Sequence, residues 1–300
     1  MAPLYLAGPT GSGKTGVALE LAEAWEAEIV NADAFQIYEG LDVLSAKPTP
    51  EELSRAPHHL FSVVPLQEEF DVAQYEEVAK ACIEEIQSRG RRPLVVGGSG
   101  LYLKSLTHGL TPLPPGDDKL RAEFEKKSLE DLAAELQKRD PEGAAVVNLK
   151  NRRYVTRALE ITILAGRPMS EIKNEWKESS PEFDGVLLVR ERELLYDRIN
   201  VRTEEMMKAG ALEEVLELPK NISGTAAKAI GVQEIRAYQA GEIDRARCIE
   251  LIQQNTRRYA KRQMNWFRRE TGFQQIEVGE DELPAKTASR ISAILAQGGS

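Results

Sequence analysis

Short apolar runs alternate with amphipathic stretches through the first hundred residues. Leu4-Tyr5-Leu6-Ala7 predicts a strand, and Val17, Leu19, Leu21, Ala22 and Trp25 behind it fall on one broad helical face. A second short strand, Glu28-Ile29-Val30-Asn31-Ala32, ends at Asp33. Val72, Tyr75, Val78, Ala79, Cys82, Ile83 and Ile86 mark an amphipathic helix that runs to Arg89-Gly90. Pro93-Leu94-Val95-Val96 follows as a third strand, closed by Gly97-Gly98-Ser99-Gly100. Strands alternating with helices predict an α/β core whose mostly parallel sheet is flanked by helices.

The alternation stops at Thr111-Pro112-Leu113-Pro114-Pro115-Gly116-Asp117-Asp118. From about Lys119 to Lys177 the pattern is helical and heavily charged, and a strand signal returns at Gly185-Val186-Leu187-Leu188-Val189. The expected organisation is a helical insertion domain over 113–179, set into an α/β core made of 1–112 and 180–300. Helices should run from Glu193 to about Arg269, with a peripheral C-terminal helix from about Asp281.

Composition narrows the class. Of 300 residues, 42% are hydrophobic and 29% charged, which excludes a disordered or collagen-like chain. Cys82 and Cys248 stand far apart in no ligand spacing, so neither a disulfide framework nor a cysteine zinc site is expected. No apolar run approaches the ~18 residues of a membrane span, and the first residues lack the basic region of a signal peptide. These features predict a soluble, cytoplasmic protein with no membrane partner, and a monomer is expected. The net charge of −9 is uneven: residues 1–150 carry 15 Lys+Arg against 25 Asp+Glu, while residues 151–300 carry 24 against 23. The positive charge clusters at Lys150, Arg152, Arg153 and Arg157, and again between Arg257 and Arg269, which leaves a nucleic-acid partner open.

Gly8-x4-Gly13-Lys14-Thr15 is a complete phosphate-binding loop, placed between a strand and a helix as its mechanism requires. Its glycines let successive backbone N–H groups turn inward at the positive end of the helix dipole. Lys14 adds a positive charge, and the Thr15 hydroxyl can ligate Mg²⁺. The loop points to a phosphorylated ligand without choosing the nucleotide or the reaction. Asp33, at the carboxyl end of a strand expected beside the first, faces the ligand crevice of an open α/β sheet, where a general base belongs. A turn or helix-cap aspartate is the structural alternative. The strand Leu94-Val95-Val96 ends in glycines rather than in the Asp of a P-loop ATPase, which argues against a hydrolysis motor. Those glycines suggest either close approach of a substrate, with Ser99 as a donor, or a tight turn.

Arg198 and Arg202 lie four apart on an expected helix and could clamp a diphosphate; from spacing alone, arginines facing solvent beside Glu191, Glu193 or Asp197 fit better. Residues 256–269 hold six basic residues and no acid, interleaved with Tyr259, Trp266 and Phe267. Such a helix can meet RNA or snorkel over a partly buried face. His58, His59 and His108 have no ligand or triad spacing and read as structural or loop residues.

Taken in order, the motifs resemble the tRNA dimethylallyltransferases (isopentenylpyrophosphate transferases) over about Leu4 to Arg269. The matching stretches are Gly8-Pro9-Thr10 to Lys14-Thr15, Ala32-Asp33-Ala34-Phe35-Gln36-Ile37-Tyr38, Ala46-Lys47-Pro48-Thr49 and Pro57-His58-His59-Leu60. Further on come Gly97-Gly98-Ser99-Gly100-Leu101-Tyr102, Arg157-Ala158-Leu159-Glu160, Ala229-Ile230-Gly231, and Tyr259-Ala260-Lys261-Arg262-Gln263 with Trp266.

The resemblance implies a P-loop NTPase-like core with a helical insertion. It implies transfer of a dimethylallyl group from dimethylallyl diphosphate to the N6 amine of adenosine 37 in the tRNA anticodon stem-loop, with Mg²⁺ as cofactor. It places Asp33 as base, with Lys14, Thr10, Ser99 and Arg202 beside it in catalysis. Gly8, Pro9, Thr10, Gly11, Ser12, Gly13, Lys14 and Thr15, with Arg198 and Arg202, would hold the diphosphate, and Thr15 the metal. Asp33, Ala34, Phe35, Gln36 and Ser99 would contact the flipped base. Arg153, Arg157, Arg257, Arg258, Lys261, Arg262 and Gln263 would meet the tRNA. Ser99 stands where the family usually has Thr, Ala34 and Phe35 where Ser and Met are common, and Val232-Gln233 where Tyr and a basic residue are usual. From the residues alone, a small-molecule P-loop kinase using ATP and a prenyltransferase acting on free AMP or ADP remain rivals, as does a non-catalytic RNA-binding protein.

Overall fold

Six strands form one sheet in the computed structural model, which describes residues 1–110, 113–177 and 183–298. In chain order they are β1 (Leu4–Ala7), β2 (Glu28–Asn31), β3 (His58–His59), β4 (Pro93–Gly97), β5 (Asp184–Val189) and β6 (Gln274–Glu277). Their spatial order is β3-β2-β4-β1-β5-β6, and every pair is parallel. Side chains alternate along each strand, so β1 sends Leu4 and Leu6 to one face and Tyr5 and Ala7 to the other. Leu4, Leu6, Leu94, Val186 and Leu188 pack with Leu19, Leu21 and Ile291. Tyr5, Val95 and Leu187 pack with Tyr75, Ile86, Leu103 and Phe267. Burial on both faces explains why these strands read as continuous apolar runs.

Two points differ from the sequence expectation. β4 lies between β2 and β1, so the strand that precedes Asp33 is not beside the first strand. β3 has two residues and β6 one buried side chain, Ile276, so neither gives an apolar run to read. Thr111 and Pro112 of the predicted break, and the expected boundary at 179–180, lie outside the described residues.

The chain divides into two compact units, Met1–Thr107 with Glu182–Ser300, and His108–Pro181. The second is helical, with helices Asp118–Glu125, Leu129–Arg139, Pro141–Val146, Arg152–Ala165 and Met169–Lys177. Four of them start at side-chain caps, Asp117, Ser128, Asp140 and Asn151, each accepting a backbone N–H of the first turn. Phe124, Leu132, Leu136, Val155, Leu159 and Ile172 form its core. Glu160 is buried within it and accepts from Asp117 N at 2.8 Å, Arg121 Nε at 2.8 Å and Arg157 Nη1 at 2.5 Å. These bonds hold its carboxyl below the ordinary glutamate range against the opposing effect of burial. Among the described residues no helix is long and apolar enough to cross a membrane.

Candidate active site

β1 ends at Ala7, and the loop behind it turns through Gly11 (φ 82°) and Gly13 (φ 94°) into the helix Lys14–Trp25. Both angles are left-handed, which a side chain would resist. Gly13 caps the helix without a side chain, so the first N–H groups of the helix remain for an anion. Lys14 Nζ donates to the Gly8 carbonyl at 2.8 Å and to that of Pro9 at 2.9 Å. Burial lowers the Lys14 pKa to about 8, with Asp33 opposing the shift and Arg202 adding to it.

Three arginines reach the loop from after β5. Arg198 Nε donates to the Gly11 carbonyl at 3.0 Å, and Arg202 Nη1 lies 3.4 Å from Thr10 Oγ1. Both therefore face the loop. Arg190, not singled out by any motif, donates from Nε to the Ser12 carbonyl at 3.1 Å. Burial lowers the Arg202 pKa, and the Asp33 carboxylate counters it.

Asp33 follows β2 and faces the same cleft of about 690 Å³ as Lys14, Thr15, Arg198 and Arg202. It is also a turn residue: its Oδ1 accepts the Phe35 N–H at 3.0 Å. Asn31, fully buried, fixes the turn by accepting the Asp33 N–H at 2.9 Å and donating to the Leu60 carbonyl at 2.9 Å. Ser99 Oγ accepts the Ala34 N–H at 2.9 Å, so this hydroxyl ties the Asp33 turn to the loop after β4. Gln36 also lines the cleft, with its amide nitrogen donating to the Ser45 and Ala46 carbonyls at 3.1 and 3.0 Å.

The glycines after β4 are explained by the protein itself. A Cβ on Gly97 would lie 2.0 Å from the Ala32 carbonyl oxygen, one on Gly98 2.3 Å from Gln263 Nε2, and one on Gly100 2.3 Å from the Trp266 ring. The close approach, which the sequence left open between a substrate and a tight turn, is made by Ala32 just after β2 and by the helix Arg245–Phe267. Gln263 departs from expectation as well. It is buried, with Oε1 accepting the Thr10 N–H at 2.9 Å and Nε2 donating to the Gly98 carbonyl at 2.9 Å. It braces the phosphate loop and does not face an RNA surface.

A second hollow of about 60 Å³ opens beside the cleft, walled by Phe35, Leu44, Ile199, Met206, Ile230, Ile252 and Tyr259. Thr10, Asp33, Ser45 and Arg202 line both spaces. Nothing in the sequence pattern marks this apolar slot, because its walls come from segments far apart in the chain. His58, read above as structural, is in the cleft wall: its Nδ1 faces the Ala56 carbonyl at 2.7 Å, and its buried Nε2 has no partner.

On the basic helix Arg258, Lys261 and Arg262 are exposed, as are Arg268 and Arg269 just past its end, whereas Arg257 donates to Asn200 Oδ1 at 2.5 Å. In the helical unit Arg153 is exposed. Arg157, expected at the RNA, is committed inside its unit to Glu160 and to the Pro114 carbonyl at 2.8 Å. Among the described residues no cluster of three His, Cys, Asp or Glu could hold a metal ion. A single Thr15 hydroxyl at the cleft fits Mg²⁺, which binds through few protein ligands and the oxygens of a phosphate.

The IPP transferase family model matches residues 36–270. A tRNA dimethylallyltransferase of Akkermansia muciniphila is 44% identical over 288 residues, covering 96% of this chain and 97% of the relative. One from Geobacter sulfurreducens is 43% identical over 285 residues, 91% of each chain. Among solved structures, the full-length tRNA isopentenylpyrophosphate transferase of Bacillus halodurans superposes with a TM-score of 0.72 at 33% identity, covering 99% of this chain and 97% of that one. A eukaryotic dimethylallyltransferase acting on tRNA superposes with a TM-score of 0.85 at 27% identity, covering 99% of this chain and 80% of that one. With its phosphate loop, facing carboxylate and apolar slot carried on the same fold, the chain belongs to the IPP transferase family of tRNA dimethylallyltransferases.

Proposed function

We propose that this protein transfers the dimethylallyl group of dimethylallyl diphosphate to the N6 amine of adenosine 37 in tRNA. The observation that carries the reading is the shared lining: Thr10, Asp33, Ser45 and Arg202 border both the polar cleft and the apolar slot. A molecule with an anionic head and a short hydrocarbon tail fits across that border, with its reactive C–O bond beside the Asp33 carboxylate. An ATP-dependent kinase would have no use for the slot.

The head sits against the N–H groups of Gly11 to Thr15, with Lys14, Arg198 and Arg202 supplying positive charge. Thr15 would hold Mg²⁺ at the cleft, and the ion would supply positive charge to the leaving diphosphate. The five-carbon tail fills the slot between Phe35, Leu44, Met206 and Ile252. Adenine in an anticodon loop reaches the cleft only after leaving its stack, at a cost of a few kcal/mol. Its exocyclic amine is a weak nucleophile because its lone pair is delocalised into the ring. As the N–C bond forms and the C–O bond breaks, Asp33 takes the amine proton and the diphosphate departs. Proton removal of this kind is worth roughly 10²–10⁴-fold. Contacts from Arg258, Lys261, Arg262, Arg268 and Arg269, and from Arg153 in the helical unit, supply sequence-independent attraction for the tRNA backbone.

Incubating the protein with an anticodon stem-loop and either labelled dimethylallyl diphosphate or labelled γ-phosphoryl ATP tests the reading directly. The label should pass from the prenyl donor to the RNA, and transfer from ATP alone would contradict it.

A further inference from the structure

Tyr259 stands one turn before Gln263 on the helix Arg245–Phe267 and lines the slot together with Thr10, Asp33 and Phe35. The chemistry described above gives it no part. Its ring is held on two sides: the Phe35 ring meets it edge-on at 6.4 Å, and the Arg262 guanidinium lies 5.6 Å from its centre. Its oxygen faces two donors, the Ser99 hydroxyl and the Gln263 amide.

Gln263 gives Oε1 to Thr10 and one amide hydrogen to Gly98, which leaves its second hydrogen for the phenol. Ser99 Oγ already accepts the Ala34 N–H and keeps its own hydrogen to give to the phenol. An oxygen that accepts from both has its O–H left to offer, and Asp33, which borders slot and cleft, lines the same space. Burial, and after it the negative charge of Asp33, raise the phenol pKa, so the group stays a protonated donor.

We infer that Tyr259 recognises the acceptor base, its O–H donating to the ring nitrogen next to the amine whose proton Asp33 takes. A carboxylate acceptor and a phenol donor side by side match the edge of adenine, which presents an amine hydrogen next to a ring nitrogen. The partner nitrogen is N1 or N7, depending on which edge of the extruded base enters. The inference rests on the prenyl-transfer reading and adds to it a specificity-determining contact.

The test uses anticodon stem-loops with adenine, 1-deazaadenine or 7-deazaadenine at the acceptor position, assayed with wild type and Tyr259→Phe. Phenylalanine keeps the ring contacts and removes only the hydroxyl. Wild type should lose about 10-fold in kcat/KM on one of the two deaza bases, the effect of one neutral hydrogen bond. Tyr259→Phe should lose a similar factor on adenine and treat adenine and that deaza base alike. Changes in intrinsic amine reactivity cancel between the two enzymes, and equal turnover of the deaza base by both shows that the variant is folded. Discrimination by Tyr259→Phe as strong as that of wild type, or indifference of wild type to both deaza bases, would overturn the inference. No transfer by wild type to adenine would instead overturn the prenyl-transfer reading beneath it.

Discussion

Gln263 holds Thr10 in place from the far end of the chain: its Oε1 takes the Thr10 N–H at 2.9 Å while its Nε2 donates to the Gly98 carbonyl at 2.9 Å. One buried amide thus ties the phosphate loop after β1 to the turn after β4. Because Ser99 in that same turn holds the Ala34 N–H, the brace extends to the segment carrying Asp33. Loop, carboxylate and basic helix are positioned as one body.

Replacing Gln263 by Leu should therefore strand two buried backbone groups. The expected cost is about 1–3 kcal/mol in stability for the unpaired groups. KM for dimethylallyl diphosphate should rise, while affinity for the anticodon stem-loop stays near that of wild type. Thermal denaturation and steady-state kinetics check the first two, and a filter-binding titration the third. Weakened RNA binding with unchanged KM would return Gln263 to the RNA surface.

Lys14 sets an alkaline limit. Its pKa in the folded protein is lowered to about 8, so above that pH the free enzyme loses the ammonium that, on this reading, would meet the diphosphate. The sign follows: kcat/KM for dimethylallyl diphosphate should be on a plateau below about pH 8 and fall as pH rises through it. Saturating rates should hold to higher pH, because the bound diphosphate anion raises the lysine pKa. A pH series on wild type and Lys14→Met checks this. The variant should be slow at every pH and lack that limb, and an unchanged limb would assign it to another group.

The slot sets donor length. Met206 and Ile252 wall the apolar side of this small hollow. Met206→Ala should raise kcat/KM for geranyl diphosphate by about 10-fold or more and lower it for dimethylallyl diphosphate by a similar factor, since a few methylenes are worth 1–3 kcal/mol each in such a pocket. Parallel assays with the two donors measure the change in ratio. An unchanged ratio would place the tail elsewhere.

Much of this arrangement is legible in the chain. The phosphate loop announces itself because glycines at positive φ and a Lys-Thr at a helix start are local requirements, and strands buried on both faces leave apolar runs. Asp33 is legible for the same reason, as a residue that ends a strand. What escapes is whatever depends on distant packing. Strand order places β4 between β2 and β1, although each strand alone reads correctly. Gln-Gln-Ile-Glu in β6 shows one buried position and no alternation long enough to count. Gln263 looks like part of a basic RNA-facing run, yet it lies on the buried stripe of its helix with Ala260 and Phe267. Arg157 likewise looks like a phosphate ligand, and its use is to satisfy buried Glu160 three residues on. The slot is invisible in sequence because Phe35, Leu44, Met206 and Ile252 share no period.

The central claim is that the Asp33 carboxylate takes the proton from the amine being alkylated, at the border of cleft and slot. Asp33→Asn keeps a side-chain oxygen for the Phe35 N–H and removes the base. Single-turnover transfer of labelled dimethylallyl to an anticodon stem-loop should fall by about 10²–10⁴-fold in this variant, with the RNA dissociation constant within about threefold of wild type. Transfer within a few fold of the wild-type rate would contradict the account.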